Sequence, residues 1–291
     1  MRPPSGRYAN FGCGDHYRPG WINIDLGVSA DGVIRHDVTR GVPMPDESCD
    51  LVYHSHLLEH LRRPDALPFM RECRRVLRPG GVLRVATPDL ELIARLYLQK
   101  LEECLSGIGH SEADYDWMVL ELLDQCVREA AGGNIATYLE RDGIPNEAFV
   151  CERVGAEARK LIDRASAARR SESAGHGATR GDTAADVPQR VARLRGVLSR
   201  SRRAVLTRVL GPAGLRALAV SRFRLGGEVH HWLYDRYSLA RLMREAGFDG
   251  PVCQTANSSL VADWPRVNLD IAADGTVRKP DSLFMEARRR A

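Results

Sequence analysis

Lysine is almost absent from this sequence. Lys100, Lys160 and Lys279 are the only three in 291 residues, so nearly all positive charge is arginine. A GC-rich genome produces the same bias, and single arginines are therefore not read as chosen bidentate ligands. There is no run of eighteen apolar residues, so neither a transmembrane helix nor membrane insertion is expected. The opening residues, MRPPSGRY, lack the apolar stretch of a secretory signal. The seven cysteines (Cys13, Cys49, Cys73, Cys104, Cys126, Cys151 and Cys253) are scattered, odd in number and without a C-x-x-C pair. They read as reduced thiols of a cytoplasmic protein. No internal repeat is evident.

The length suffices for one large domain or two small ones, each with a real core. The net charge of +4 is unevenly placed: Arg190 to Arg224 holds ten arginines and no acid, which leaves the remainder acidic. A solvated helical face is the first reading of such a run. Steering of an anionic substrate comes second, and binding of nucleic acid or an acidic membrane surface third. Few aromatics interleave the arginines, which argues against single-strand stacking.

The stretch Tyr8 to Asp25, YANFGCGDHYRPGWINID, organises the rest. A short apolar strand, Tyr8 to Phe11, runs into Gly12-Cys13-Gly14, whose glycines permit a sharp turn and a ligand's approach to the main chain. A second strand, Trp21 to Ile24, ends on Asp25. An acid at that position accepts from ribose hydroxyls in nucleoside sites at the carboxyl ends of parallel strands. Further strands are read at Val33 to His36, closed by Asp37-Val38, at Asp50 to His54, and at Val82 to Ala86, closed by Thr87-Pro88-Asp89. Pro64 to Leu77 reads as an amphipathic helix stopped by Arg78-Pro79-Gly80-Gly81. The first crossovers are short, about ten residues and fewer, where a helical crossover takes a dozen or more. One face at that edge of the sheet is therefore expected to be thinly covered.

Beyond Asp89 the pattern turns helical. Leu90, Ile93, Ala94, Tyr97, Leu98 and Leu101 form one stripe, Trp117 to Val127 a second, and Ala156 to Ala168 a weaker third. Ser171 to Pro188 is nearly free of large apolar residues and reads as a flexible loop. Arg190 to Leu210 reads as an Arg-rich amphipathic helix with Val191, Leu194, Val197 and Leu198 on one face, broken by Gly211-Pro212. A last helix, Leu239 to Phe248, is expected with Ser238 as N-cap and Gly247 just past its end. Pro251 to Ala256 and Ser282 to Ala287 read as two final strands, with a hairpin-like link carrying Asp274-Gly275.

Taken in order, the Gly12-Cys13-Gly14 turn, Asp25, Asp37-Val38, Cys49-Asp50-Leu51-Val52 and RECRRVLRPGGVLRVATPD resemble the class I S-adenosylmethionine-dependent methyltransferases. The likeness is in particular to their type 11 group of small-molecule enzymes. It covers residues 7 to 89 and, more loosely, 228 to 291; residues 99 to 227 carry no part of it. The resemblance implies an α/β fold: a doubly wound, Rossmann-like, seven-stranded sheet with its last strand antiparallel. Here it would carry abbreviated first crossovers and a large helical insertion before the C-terminal strands. Residues 1-98 and 228-291 would form the core and 99-227 a helical cap. The resemblance further implies S-adenosylmethionine as cofactor. The Gly12 to Gly14 backbone would contact its methionine part, with Asn10 and Cys13 beside it. Asp25 would hold the ribose, Asp37 and the Val38 amide the adenine, and His54 and Ser55 would line the pocket.

His56, Glu59 and His60 spell H-x-x-E-H, which on a helix would put all three on one face. Two imidazoles and a carboxylate there could bind a divalent metal. The inverted zinc-protease motif is a rival, but it leaves the glycine turn and strand-end acids unexplained. The preferred reading is that Glu59-His60 caps and orients the helix, with no metal. Methyl transfer to a hydroxyl or amine needs a group that takes a proton, and a near-neutral histidine suits the task. His56, His230 and His231 are base candidates, with Tyr234 near them; packing and loop chemistry is the rival reading for His230-His231. The sequence thus reads as a cytoplasmic methyltransferase acting on a small molecule of secondary-metabolite or glycan chemistry, an anionic one included. The alternative is a non-catalytic binding module that works through its basic insert. A thin sheet edge leaves room for a homodimer.

Overall fold

The computed structural model describes residues 7–28, 30–107, 111–174, 189–262 and 264–290. The chain opens with β1 (Tyr8–Phe11), β2 (Ile22–Asp25), β3 (Val33–Arg35) and β4 (Cys49–Ser55). It continues through α1 (Arg63–Val76) into β5 (Leu77–Pro88). Six helices follow: α2 (Leu90–Leu105), α3 (Ser111–Val127), α4 (Gly133–Leu139), α5 (Glu147–Val154), α6 (Ala156–Ala174) and α7 (Gln189–Arg224). The last elements are α8 (Arg236–Glu245), β6 (Phe248–Gln254), the short α9 (Trp264–Val267) and β7 (Ser282–Arg289). The strands form one sheet of order β3-β2-β1-β4-β5-β7-β6. β1 to β5 are parallel and β7 runs antiparallel to both neighbours, as the sequence leads one to expect.

Successive residues of a strand point to opposite faces, and the two faces of this sheet differ. On one, Ala9, Phe11, Ile24, Val52, Leu83, Val85 and Met285 pack against Phe69, Met70 and Cys73 of α1 and against Leu239 and Met243 of α8. Each of the large side chains contributes about 1.5–3 kcal/mol by leaving water. On the other face lie Tyr8, Trp21, Leu51, Tyr53 and Val82. No helix connects β1 to β2 or β2 to β3, which is the shortfall that made a thin cover expected. The structure differs here. Residues 255–281, between β6 and β7, fold back as the missing layer and bring Trp264 and Val267 onto this face. What was read as a hairpin-like link is thus a wall of the core.

That wall is held by charge. Arg84 is fully buried and meets Asp270 at 2.7 Å and Glu286 at 2.8 Å. It also donates to the carbonyls of Thr255 and Ser258 and lies 4.1 Å from the centre of the Trp264 ring. The Tyr53 hydroxyl donates to Asp270 at 2.6 Å. Every nitrogen of the guanidinium thereby has an acceptor, which a buried cation requires.

The helices α2 to α6 have a core of their own, made by Ile93, Trp117, Met118, Tyr138, Leu139, Val150 and Ile162. Asp89 caps α2 by accepting from the amides of Glu91 and Leu92. Residues 171–174, read as the start of a loop, continue α6 instead, and the rest of that loop lies outside the described residues. α7 is broken at Gly211, where φ is 64°, as the Gly211-Pro212 pair suggests. The face assigned to Val191, Leu194, Val197 and Leu198 lies outside the residues whose side chains are described. At α8 the N-cap is Asp235, not Ser238; Ser238 is the third helical residue and returns the bond to the cap, completing a capping box.

Candidate active site

The glycine turn is built by the sheet around it. The Gly12 amide donates to Ile24 at 2.8 Å, which extends the β1–β2 ladder into the turn. Gly12 has φ of 63°, and a Cβ there would meet Leu57 at 2.9 Å, so both conformation and space require glycine. Gly14 also has positive φ, but a Cβ there would meet nothing within 4 Å; its main chain faces open space. Asp25 ties the turn to the loop after β2. Its carboxylate accepts from the Gly14 amide at 2.9 Å and from the Gly27 and Val28 amides at 2.7 and 2.9 Å.

Above this turn lies a cavity of about 650 Å³, well within the range of small-molecule sites. Asn10, Gly12, Cys13, Gly14, Asp15, His16, Tyr53, Ser55 and His56 form its floor; α6 supplies Ala156, Glu157, Lys160, Leu161 and Arg164. The returning segment and β7 add Leu269, Asp270, Arg278, Lys279 and Phe284. Two of the chain's three lysines therefore face one cavity together with two arginines. Their field is felt at His16, which is held below its ordinary pKa by burial and then by Arg278, Lys160 and Lys279.

The sequence-derived residues divide accordingly. Asn10, Gly12, Cys13, Gly14 and Ser55 line the cavity. Cys13 is a buried thiol, pushed up to about 11 by burial and by Asp25, so it stays protonated and packs. Asp25 supports the turn from outside the cavity wall. Asp37 caps the turn at Val38–Arg40, accepting from the amide and hydroxyl of Thr39 at 3.0 and 2.7 Å. The Val38 side chain is buried in the main core. His54 does not line the cavity. It is fully buried on the α1 face, 5.2 Å from Phe69 ring to ring, with neither ring nitrogen partnered; burial drives its pKa down to about 4.

Of the four candidates for proton transfer, His56 alone lies at the cavity. It leaves β4 with φ of 51°, a rare conformation for a side chain of this size. Its amide is held by the Ala86 carbonyl at 2.9 Å. Its Nε2 is 2.8 Å from the Ser282 hydroxyl, and its Nδ1 is 3.2 Å from Glu59 Oε1. His230 is instead buried against His60, 4.6 Å between ring centres. Burial pushes His230 down to about 3. His231 faces Arg224, Arg62 and Asp65, and burial and then the arginines lower its pKa. Tyr234 sits in the apolar core, pushed up to about 12 by burial and then by Glu59.

The H-x-x-E-H stretch is not an α-helix. Leu58–His60 form a single 3-10 turn closed by i to i+3 bonds, and His56 lies before it in a left-handed conformation. His56, Glu59 and His60 therefore do not share a helical face. The structure gathers Glu59 and His60 with His230 instead.

The basic run also resolves in part. Arg216 pairs with Glu129 and Arg224 donates to the carbonyls of Cys126 and Arg128, so these arginines bind α7 to the end of α3. Among the described residues no helix is long and apolar enough to cross a membrane.

A parallel sheet of this order with an inserted antiparallel β7, a glycine turn after β1 and an acid after β2 is the Rossmann-like arrangement that the sequence leads one to expect. Residues 25–85 match the family model described as a methyltransferase domain. A protein of Mycolicibacterium smegmatis named "Probable S-adenosylmethionine-dependent methyltransferase" is 48% identical over 56 residues, 19% of this chain and 21% of that protein. One of Mycobacterium tuberculosis with the same description is 48% identical over 48 residues, 16% of this chain and 17% of that protein. The match thus spans about a fifth of the length of these relatives. Among solved structures, a SAM-dependent methyltransferase from Mesorhizobium loti aligns at 15% identity, covering 98% of this chain and 91% of that one, with a TM-score of 0.36.

Proposed function

We propose that the protein is an S-adenosylmethionine-dependent methyltransferase whose acceptor is a small anionic molecule. The observation that carries this reading is the cavity itself. It opens directly on the Gly12–Gly14 main chain and is walled by Lys160, Arg164, Arg278 and Lys279. The open space over Gly14 fits the cofactor's approach to the backbone. Asp25, outside the cavity wall and aligned by three amides, would offer its one remaining lone pair, on Oδ2, to a ribose hydroxyl that reaches past the turn.

When bound, S-adenosylmethionine supplies an electrophilic methyl on a sulfonium whose departing thioether is neutral, so no acid is needed. The chain has to align the acceptor and accept its proton. Transfer of that methyl would leave the acceptor oxygen or nitrogen with a proton to lose. His56 Nε2, at the cavity edge, takes the proton. The Ser282 hydroxyl, 2.8 Å from His56 Nε2, would donate to that nitrogen at rest and yield its place to the acceptor in reaction. Glu157 lies 3.8 Å from Lys279 and offsets part of the positive field, while Asp270 is committed to Arg84 and Tyr53.

The test is transfer of labelled methyl to paired acceptors that differ only in a carboxylate or phosphate. The charged member should be preferred. Arg278→Gln or Lys160→Gln should raise its KM by about tenfold, the size of one charge-assisted hydrogen bond, and change kcat little. Equal use of charged and neutral acceptors, or an unchanged KM in both variants, would reject the anionic reading.

A further inference from the structure

We infer that Glu59, His60 and His230 form a divalent-metal site. This inference does not depend on the methyltransferase reading. One potential ligand atom from each residue lies within 4.8 Å of the other two. Bonds of ~2.0–2.2 Å to a shared ion would draw them to about 3.4 Å from one another. Glu59 is fully buried and its Oε1 accepts no aligned hydrogen bond; the nearby His56 Nδ1 is off line. Among the described residues no lysine or arginine pairs with Glu59, and Oε2 accepts only from the neutral Thr87 hydroxyl at 3.2 Å, so no fixed cation offsets the buried carboxylate. Leaving such a charge without a cation is costly, and binding one relieves it.

The imidazoles are arranged as ligands are. His60 Nδ1 lies 3.3 Å from the Val229 carbonyl. That contact places the ring proton on Nδ1 and leaves the lone pair on Nε2, the outer contact that orients metal-binding histidines elsewhere. His230 is 4% exposed, and no hydrogen bond to its ring is seen among the described residues. Both segments are pinned by the main chain. The His230 amide donates to Gln125 at 2.9 Å and the His231 amide to Glu59 at 2.7 Å. The cluster is therefore preorganised although its members lie far apart in sequence. Two nitrogens and one carboxylate oxygen suit Zn²⁺, Mn²⁺, Fe²⁺ or Co²⁺ rather than the all-oxygen preference of Ca²⁺ or Mg²⁺. Three protein ligands leave at least one position for water.

The experiment strips the full-length protein with chelator and titrates it with Zn²⁺ and Mn²⁺ by calorimetry and with Co²⁺ by visible absorption. One ion per chain should bind, with a raised thermal midpoint and visible bands of mixed nitrogen and oxygen ligation. His230→Ala and His60→Ala should weaken binding at least about 100-fold. His231→Ala, whose ring lies outside the cluster, should stay within about twofold. If His230→Ala does not fold, histidine nitrogen resonances of the wild type decide: Zn²⁺ must move two rings, those of His60 and His230. The inference is overturned if stripped wild-type protein takes up no stoichiometric metal, if a folded His230→Ala binds as the wild type does, or if the rings of His60 and His230 do not move. A cluster neutralised by a shared proton would give that first result.

Discussion

The two faces of the sheet solve the same problem with different chemistry. Under α1 and α8 the strands bury an almost wholly apolar layer, and a polar intruder, His54, has no hydrogen-bond partner for either ring nitrogen. Under residues 255–281 the layer is centred on Arg84, Asp270 and Glu286, with every guanidinium direction used. The apolar face is covered by amphipathic helices, whose side chains pack by shape. The other is covered by a segment with little regular structure, and its main-chain carbonyls need a donor such as Arg84 to hold them. A buried ion network specifies where an irregular segment sits more than it adds stability. Here it also positions Arg278 and Lys279, which follow Asp270 into the cavity wall.

The sharpest break of this comparison is Arg84→Met. It keeps an apolar stem against Trp264 but leaves Asp270 and Glu286 buried without their cation. A loss of about 3–5 kcal/mol in urea unfolding is expected, and adding Asp270→Asn and Glu286→Gln should recover part of it. On the apolar face, Met70→Ala should cost about 2–4 kcal/mol by opening a cavity, with no second substitution among charged residues able to restore it.

The smallest effect is of opposite sign. His54→Leu should be neutral or stabilising by about 1 kcal/mol at pH 7, since it removes two unpartnered nitrogens. It should stabilise more at pH 5. His54 titrates near 4 when folded and near ~6.5 when unfolded, so the unfolded chain binds more protons between those values. Its contribution is complete above ~6.5 and is lost as pH falls toward 4. His54→Leu should therefore flatten the slope of stability against pH in that window. The other depressed histidines, His16, His60, His230 and His231, keep some of the slope. An unchanged slope would contradict the placement of His54.

Much of the apolar face was legible in sequence, because α1 and α8 and strands β1 to β5 declare themselves by spacing and by Gly12, Gly80 and Gly247. The polar face was not. Trp264 and Val267 have no periodic neighbours, and Arg84 finds Asp270 across 186 positions. The site divides in the same way. The floor, Asn10 to Gly14 with Ser55 and His56, follows from local motif. The walls, Lys160 and Arg164 from α6 and Arg278 and Lys279 from the returning segment, meet only in the folded chain. The scarcity of lysine was the one available signal. His230 and His231 misled because they lie beside the junction in sequence, while backbone bonds to Gln125 and Glu59 turn the segment inward. A capping acid at Asp235 and a left-handed His56 are details that propensity does not resolve.

The central claim is that the turn held by Asp25 is a nucleoside-cofactor site. Calorimetric titration of S-adenosylhomocysteine into wild-type protein and into Asp25→Ala tests it most directly. The account predicts one micromolar site per chain, weakened by on the order of 10- to 100-fold in Asp25→Ala through loss of charge-assisted hydrogen bonds. Absence of binding to folded wild-type protein, or equal affinity in both, would contradict it.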